Sequence, residues 1–230
     1  MSYLFLCLFL LVQITAKAQN ELPNTKFGVQ FRPLFASGLA VRSTPSIASG
    51  VVTFGATAQN GFILGMNIRR NFNKRFFMET GINLSSRNYT ITMQRSDNGF
   101  LGKIPLKVAS YEIPVSGIFY VRISEKIYIN TALGVSFDVF PSELTQRNEY
   151  ATNLILRSLR FMPAGIINLG AEYRTAQKGY YYLGASYHRP VFNTYSASLQ
   201  YNLNTVAAAT QNFALYGDYL SLDLRYFFAK

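Results

Sequence analysis

Apolar and polar residues alternate one by one along almost the whole chain, and no apolar run is long enough to cross a membrane as a helix. The longest uninterrupted apolar stretch is residues 3–12, against roughly 18 or more for a spanning helix. Period-two alternation places successive side chains on opposite faces of a strand. Phe27, Val29 and Phe31 oppose Gly28, Gln30 and Arg32. The same pattern recurs over residues 61–69, 76–85, 111–121, 127–138, 161–173, 181–188 and 220–228. The chain is therefore expected to form eight strands. Their connections fall into two classes that alternate strictly. Residues 71–75, 122–126 and 175–179 are short turns, whereas residues 36–60, 88–110, 141–157 and 189–217 are long. All long loops then lie at one end of an up-and-down meander, the layout of a membrane barrel. The expected fold is all-β, an eight-stranded antiparallel up-and-down transmembrane β-barrel.

A soluble barrel alternates too, with its apolar face inside. The polar face decides between the two. It carries Gly28, Gly65, Gly81, Gly134, Gly170 and Gly184. On a water-facing sheet each glycine would only weaken its strand, whereas in a narrow lumen small residues make room for long charged neighbours. The charges on that face are Arg32, Arg69, Arg87 and Arg225 against Glu79, Glu112, Asp138, Glu172 and Asp223. An eight-stranded barrel is just wide enough for side chains to fill it, and buried charges cost several kcal/mol each unless paired. These nine residues are expected to form a structural network that plugs the lumen rather than an ion path. Composition agrees with this orientation. The chain is 49% hydrophobic and only 14% charged, where soluble domains average about 25% charged. Its 16 Tyr and 19 Phe cluster near the two ends of the strands, as in the aromatic girdles of membrane barrels.

Residues 1–18 are expected to be a signal peptide. An apolar core is followed by Ala16-Lys17-Ala18, and small residues at −3 and −1 suit cleavage before Gln19. The segment departs from the usual pattern in having no Lys or Arg before its core. Cys7 lies inside that core, so residues 19–230, the barrel domain, contain no cysteine and use no disulfide or thiol chemistry.

The chain resembles the small outer-membrane β-barrel proteins of Bacteroidetes-type bacteria, the porin-like or PorT-like barrels. The resemblance is carried by the Ala18-Gln19 junction and by Gly61-Phe62-Ile63-Leu64-Gly65. It is carried also by Tyr111-Glu112-Ile113-Pro114-Val115, by residues 126–134 and by the aromatic-ended last strand, residues 220–228. These motifs are loose, but they span nearly the whole mature chain. The resemblance implies an integral protein of the cell outer membrane, met by the barrel-insertion machinery during assembly. It implies no single activity. Two features depart from it. Ala229 and Lys230 follow Phe228, where the assembly signal ends on an aromatic residue, and Pro114 interrupts a strand, where a bulge is expected to accommodate it.

Signals for chemistry are sparse. His188, the one histidine, stands two residues from Ser186 on the same face, but no orienting acid is identifiable. One histidine and no mature cysteine exclude the usual zinc sets, and no phosphate-binding glycine loop is present. No catalytic residue, cofactor or metal is expected. The function expected is structural, or surface interaction. The rivals are a transport or secretion-accessory barrel, a lipid-modifying barrel enzyme and a soluble periplasmic barrel. The net charge of +11 is assigned to the rims, where outer-membrane lipids and lipopolysaccharide phosphates are the partners; nucleic acid is not. A monomer is expected. The long loops are the candidate surface for an extracellular or secretion partner. Tyr89, Ile91 and Met93 alternate in one, and Tyr195, Ala197, Leu199, Tyr201 and Leu203 in another. These extensions either offer an edge for strand addition or pair with each other as a rigid rim.

Overall fold

The computed structural model describes residues 25–36, 42, 46–73, 75–141, 144–147, 151–175, 177–201 and 210–229. The expected signal peptide, residues 1–18, lies outside them. Among the described residues thirteen strands run in chain order: β1 (Thr25–Phe35), β2 (Ile47–Ser49), β3 (Val52–Asn71), β4 (Phe76–Arg95), β5 (Leu101–Arg122), β6 (Ile127–Val139), β7 (Leu144–Arg147), β8 (Ala151–Arg157), β9 (Phe161–Arg174), β10 (Tyr180–Pro190), β11 (Tyr195–Tyr201), β12 (Thr210–Leu215) and β13 (Tyr219–Phe227).

Eight of these close into a ring. The order β1-β13-β10-β9-β6-β5-β4-β3 is continuous, and β3 pairs back onto β1 from Thr25↔Arg70 to Leu34↔Gly61. Every pairing in the ring is antiparallel. Closure leaves no unpaired edge around the barrel wall, as a spanning sheet requires where no water can satisfy backbone groups. The eight segments read from the alternation are the eight ring strands.

Outward positions of the ring are apolar. Phe27, Leu64, Ile82, Leu133, Leu169 and Leu183 are all exposed. Such a continuous apolar surface far exceeds the few hundred Å² that a soluble monomer exposes. Inward positions within the ring are mainly polar, with Ile63, Ile118 and Ile166 among the exceptions. Asn67, Asn83, Ser85, Asn130, Ser136 and Asn168 are each at most 3% exposed. Tyr182 shows why glycine recurs on this face. Its ring lies across Gly170 and Gly184, where a Cβ would come within 2.3 and 2.2 Å of the Tyr182 hydroxyl. Any larger residue there would displace the tyrosine.

β3, β4 and β5 have 20, 20 and 22 residues, about twice the ~9–11 that a tilted span needs. Their excess projects beyond the long-loop end. On β4 the inward face changes character along one strand, from Glu79, Asn83 and Arg87 to Tyr89, Ile91 and Met93. The apolar part joins Val52, Phe54, Ile104, Leu106 and Val108 from the neighbouring extensions, and Phe140, Met162, Tyr195 and Leu215. Together they form an apolar head core above the polar lumen. A β-bulge keeps β3 in step with this change. Gln59 pairs with Asn88 and Phe62 with Ser86, so three steps on β3 match two on β4. Val52 and Phe54 thus face inward from even positions, while Ile63, Asn67 and Arg69 do so from odd ones.

Two expectations change here. Among the described residues, which do not include Leu203, the extensions do not pair with each other. β4 pairs with β3 and β5, whereas β11 pairs with β8 and β12 in a separate four-stranded sheet, β12-β11-β8-β7. Nor does Pro114 sit in a bulge. The β4–β5 register is the same at Thr80↔Val115 and Asn83↔Glu112. The proline is absorbed without a shift, and Thr80 Oγ1 donates to its carbonyl at 2.8 Å.

Candidate functional site

The lumen holds the densest chemistry of the described chain. All nine charged residues expected on the inward face lie there and enter ion pairs with one another. At the short-turn end, Arg69 of β3 pairs with Glu79 at 2.7 Å and with Glu172. Arg225 of β13 joins Glu79 and Asp223, each at 2.6 Å, and Arg32 of β1 meets Asp223 at 2.9 Å. Nearer the head, Arg87 Nη2 bridges Glu112 at 2.8 Å and Asp138 at 2.7 Å. Tyr219 connects the two groups. Its hydroxyl donates to Glu112 at 2.9 Å, and its ring lies under the Arg32 and Arg87 guanidinium groups at 5.7 and 5.2 Å.

Arg174 belongs to this network but was not read from the sequence. It follows Glu172 by two residues on the inward face of β9 and pairs with it at 2.6 Å. The alternation extends to it, and that signal could have placed it. With Arg174, five arginines meet five carboxylates, so the lumen is neutral. Neutral amides and hydroxyls satisfy the remaining lone pairs. Asn168 and Ser186 donate to Asp223 at 3.0 and 2.5 Å, and the Tyr120 hydroxyl donates to Glu172 at 2.8 Å. One cavity among these groups, beside Gln30, Arg32, Asn67 and Glu79, measures about 20 Å³. That is room for about one water molecule.

The aromatic residues divide between two roles. Phe72, Phe76, Tyr173, Tyr181 and Phe228 are exposed at the short-turn end, and Tyr111, Phe137 and Phe161 at the other. Tyr120, Phe140 and Tyr219, placed near the strand ends by the sequence, instead face inward and are at most 3% exposed. Position along the strand gives the height of a ring, but only parity gives its side.

Ser186 and His188 do not form a nucleophile and base. The Ser186 hydroxyl is committed to Asp223, while His188 Nε2 lies 3.2 Å from Asp138 and its ring stacks on Tyr219 at 4.5 Å. Both residues are buried. Glu112, Asp138 and His188 place three potential metal-ligand atoms within 4.8 Å of one another. No sequence spacing announces this group, because it is assembled across β5, β6 and β10. The Arg87 guanidinium already sits between its two carboxylates, in the position a cation would take.

No protein-family model matches the sequence, and no curated protein matches it. Solved structures do. The outer membrane protein OprG from Pseudomonas aeruginosa aligns with a TM-score of 0.58 at 11% identity, over 90% of this chain and 98% of that one. The fold is that of an eight-stranded outer-membrane β-barrel. The β domain of the Bordetella autotransporter BrkA (TM-score 0.39, 9% identity, 90% and 99% covered) and the outer membrane protease OmpT from Escherichia coli (0.41, 11%, 90% and 94%) align more loosely. At those scores they add nothing to the fold assignment.

Proposed function

We propose that the protein is an integral outer-membrane protein whose barrel is a closed anchor for a β-sheet head outside the cell, with a structural or surface-interaction role and no catalysis. The observation that carries this reading is the lumen crossed by five arginines paired with five carboxylates, with a cavity of only about 20 Å³ beside Arg32 and Glu79. The apolar outer wall supports insertion. Short turns at one end and long extensions at the other support an orientation with the head outside. Lys103, Lys107, Arg160 and Arg189 are exposed at the head end and suit the phosphates of lipopolysaccharide. The resemblance to Bacteroidetes-type, PorT-like barrels belongs to the same proposal, as does export through a cleaved signal peptide.

A secretion-accessory or extracellular partner role is favoured by one observation. β5 pairs with β6 only from Tyr111 onward, so among the described residues 101–110 pair on the β4 side alone. That leaves an edge on which a partner strand could be added.

Membrane fractionation with a gel run before and after boiling tests the placement. The protein is expected in the outer-membrane fraction, with a mobility that changes on boiling. Recovery in the soluble periplasm would refute it.

A further inference from the structure

The short-turn end of the barrel opens into a cavity of about 830 Å³. Arg75 of the first short turn lines it, with Phe77 on β4, Tyr120 and Arg122 on β5, Tyr128 on β6 and Arg174 on β9. None of its lining residues is acidic. The carboxylate that Arg174 pairs with, Glu172, is already held by Arg69 and by the Tyr120 hydroxyl. Arg75 and Arg122 are exposed, and among the described residues neither has a carboxylate partner. The cavity is a dead end, because the ion-pair network closes the lumen beyond it. Its floor is a cation held between rings, with the Arg174 guanidinium carbon 3.9 Å from the centre of Tyr128, 4.7 Å from Tyr120 and 5.7 Å from Phe77.

We propose that this blind cup binds a small organic anion, a carboxylate or phosphate carrying a flat apolar group. The two guanidinium groups at the rim offer planar donors that such anions accept, Arg75 through its whole fork and Arg122 through the Nη groups left when its Nε donates to the Ser124 carbonyl at 3.0 Å. The ring-lined wall below takes a flat apolar body, which stacks or meets ring edges at little entropic cost. The volume lies within the ~300–1,000 Å³ typical of small-molecule sites. That the cup faces the periplasm rests on the location proposed above; the binding chemistry does not.

Calorimetry on the full chain, folded in a neutral detergent and checked by its heat-dependent gel mobility, tests this. Phenyl phosphate is the probe and inorganic phosphate the comparison. Phenyl phosphate is expected to bind about tenfold or more tightly than inorganic phosphate, because its ring adds buried apolar area. The double variant Arg75→Ala/Arg122→Ala changes exposed positions and leaves the Arg174 stack intact. It is expected to weaken phenyl phosphate binding by about tenfold or more, since two charge-assisted donors are lost. Arg160→Ala, at the opposite end, should bind as the wild type does. Adding phosphatidylglycerol micelles separates two sources of the anion. Displacement of phenyl phosphate assigns the site to a lipid headgroup, and no displacement assigns it to a soluble anion, the proposal standing in either case. Absence of phenyl phosphate binding by a folded wild type, or undiminished binding by a folded double variant, would overturn it. Failure to fractionate with the outer membrane would count against the location alone.

Discussion

Arg69, Arg87 and Arg225 each meet two carboxylates, and Glu79, Glu172 and Asp223 each meet two arginines, and that sharing sets the cost of losing a charge. Glu112 is 0% exposed and touches both Arg87 and Tyr219. Removing it leaves Arg87 with Asp138 alone. Breaking a buried pair costs about 3–5 kcal/mol, so Glu112→Ala should lower the unfolding free energy in detergent by that order while creating no conductance. An unfolding curve equal to wild type would argue against a paired lumen. The glycine positions carry a steric version of the same dependence. Gly184→Ala should destabilise by about 1–3 kcal/mol as an overpacking change. The penalty should shrink when Tyr182→Ala removes the ring that the new Cβ would meet, and equilibrium unfolding of the double-mutant cycle measures that coupling. Outside the barrel, at the tip of the β4–β5 hairpin, the Arg95 guanidinium donates to Asp97 at 2.9 Å and holds its carboxyl below the usual aspartate range. A depressed carboxylate favours the folded state at neutral pH, and the contribution is lost as pH falls through the lowered pKa. A carboxyl-carbon NMR titration of Asp97 should show this low midpoint, and Arg95→Ala should return it toward the ordinary value.

Strand parity links each element to its surroundings, and the bulge in β3 is where parity is reset. Upstream of it Phe54 is fully buried in the head, and downstream Arg69 reaches the lumenal network. Inserting one alanine after Gln59 would add a second extra residue, turning Val52 and Phe54 toward solvent while leaving the ring segment in register. Limited proteolysis should then cut within the head extensions and spare the barrel; a protease pattern like that of wild type would show that the bulge does not set the register. Much of the element layout was readable in the sequence, because a sheet with one apolar face imposes a period of two. The bulge was not, since one inserted residue between Gln59 and Phe62 looks like any break in alternation. Tyr120, Phe140 and Tyr219, read by height as girdle residues, face inward, because aromatic identity marks height near an interface but not the face occupied. The ion-pair partners were unreadable for a different reason. Arg69 and Glu172, or Arg32 and Asp223, are far apart in sequence and meet only once the ring has closed.

At the scale of the whole molecule, three zones are stacked along the barrel axis: an aromatic and cationic cup at the short-turn end, a neutral ion-pair plug through the ring, and an apolar core under the head. The basic excess in the sequence acquires a place in this order. The plug cancels its own charge, so the surplus of Lys and Arg is left to the two ends. The inward face of β4 runs through two of the zones without a break, from Glu79 to Met93, which joins the head rigidly to the barrel rather than through a flexible linker. A plug bounded by an apolar core is a barrier to ions at both levels. Single-channel recording in a planar bilayer tests it most directly, using protein whose folding is verified by its mobility on unboiled gels. The structure predicts no steady conductance steps after insertion, and reproducible steps from the wild-type protein would contradict it.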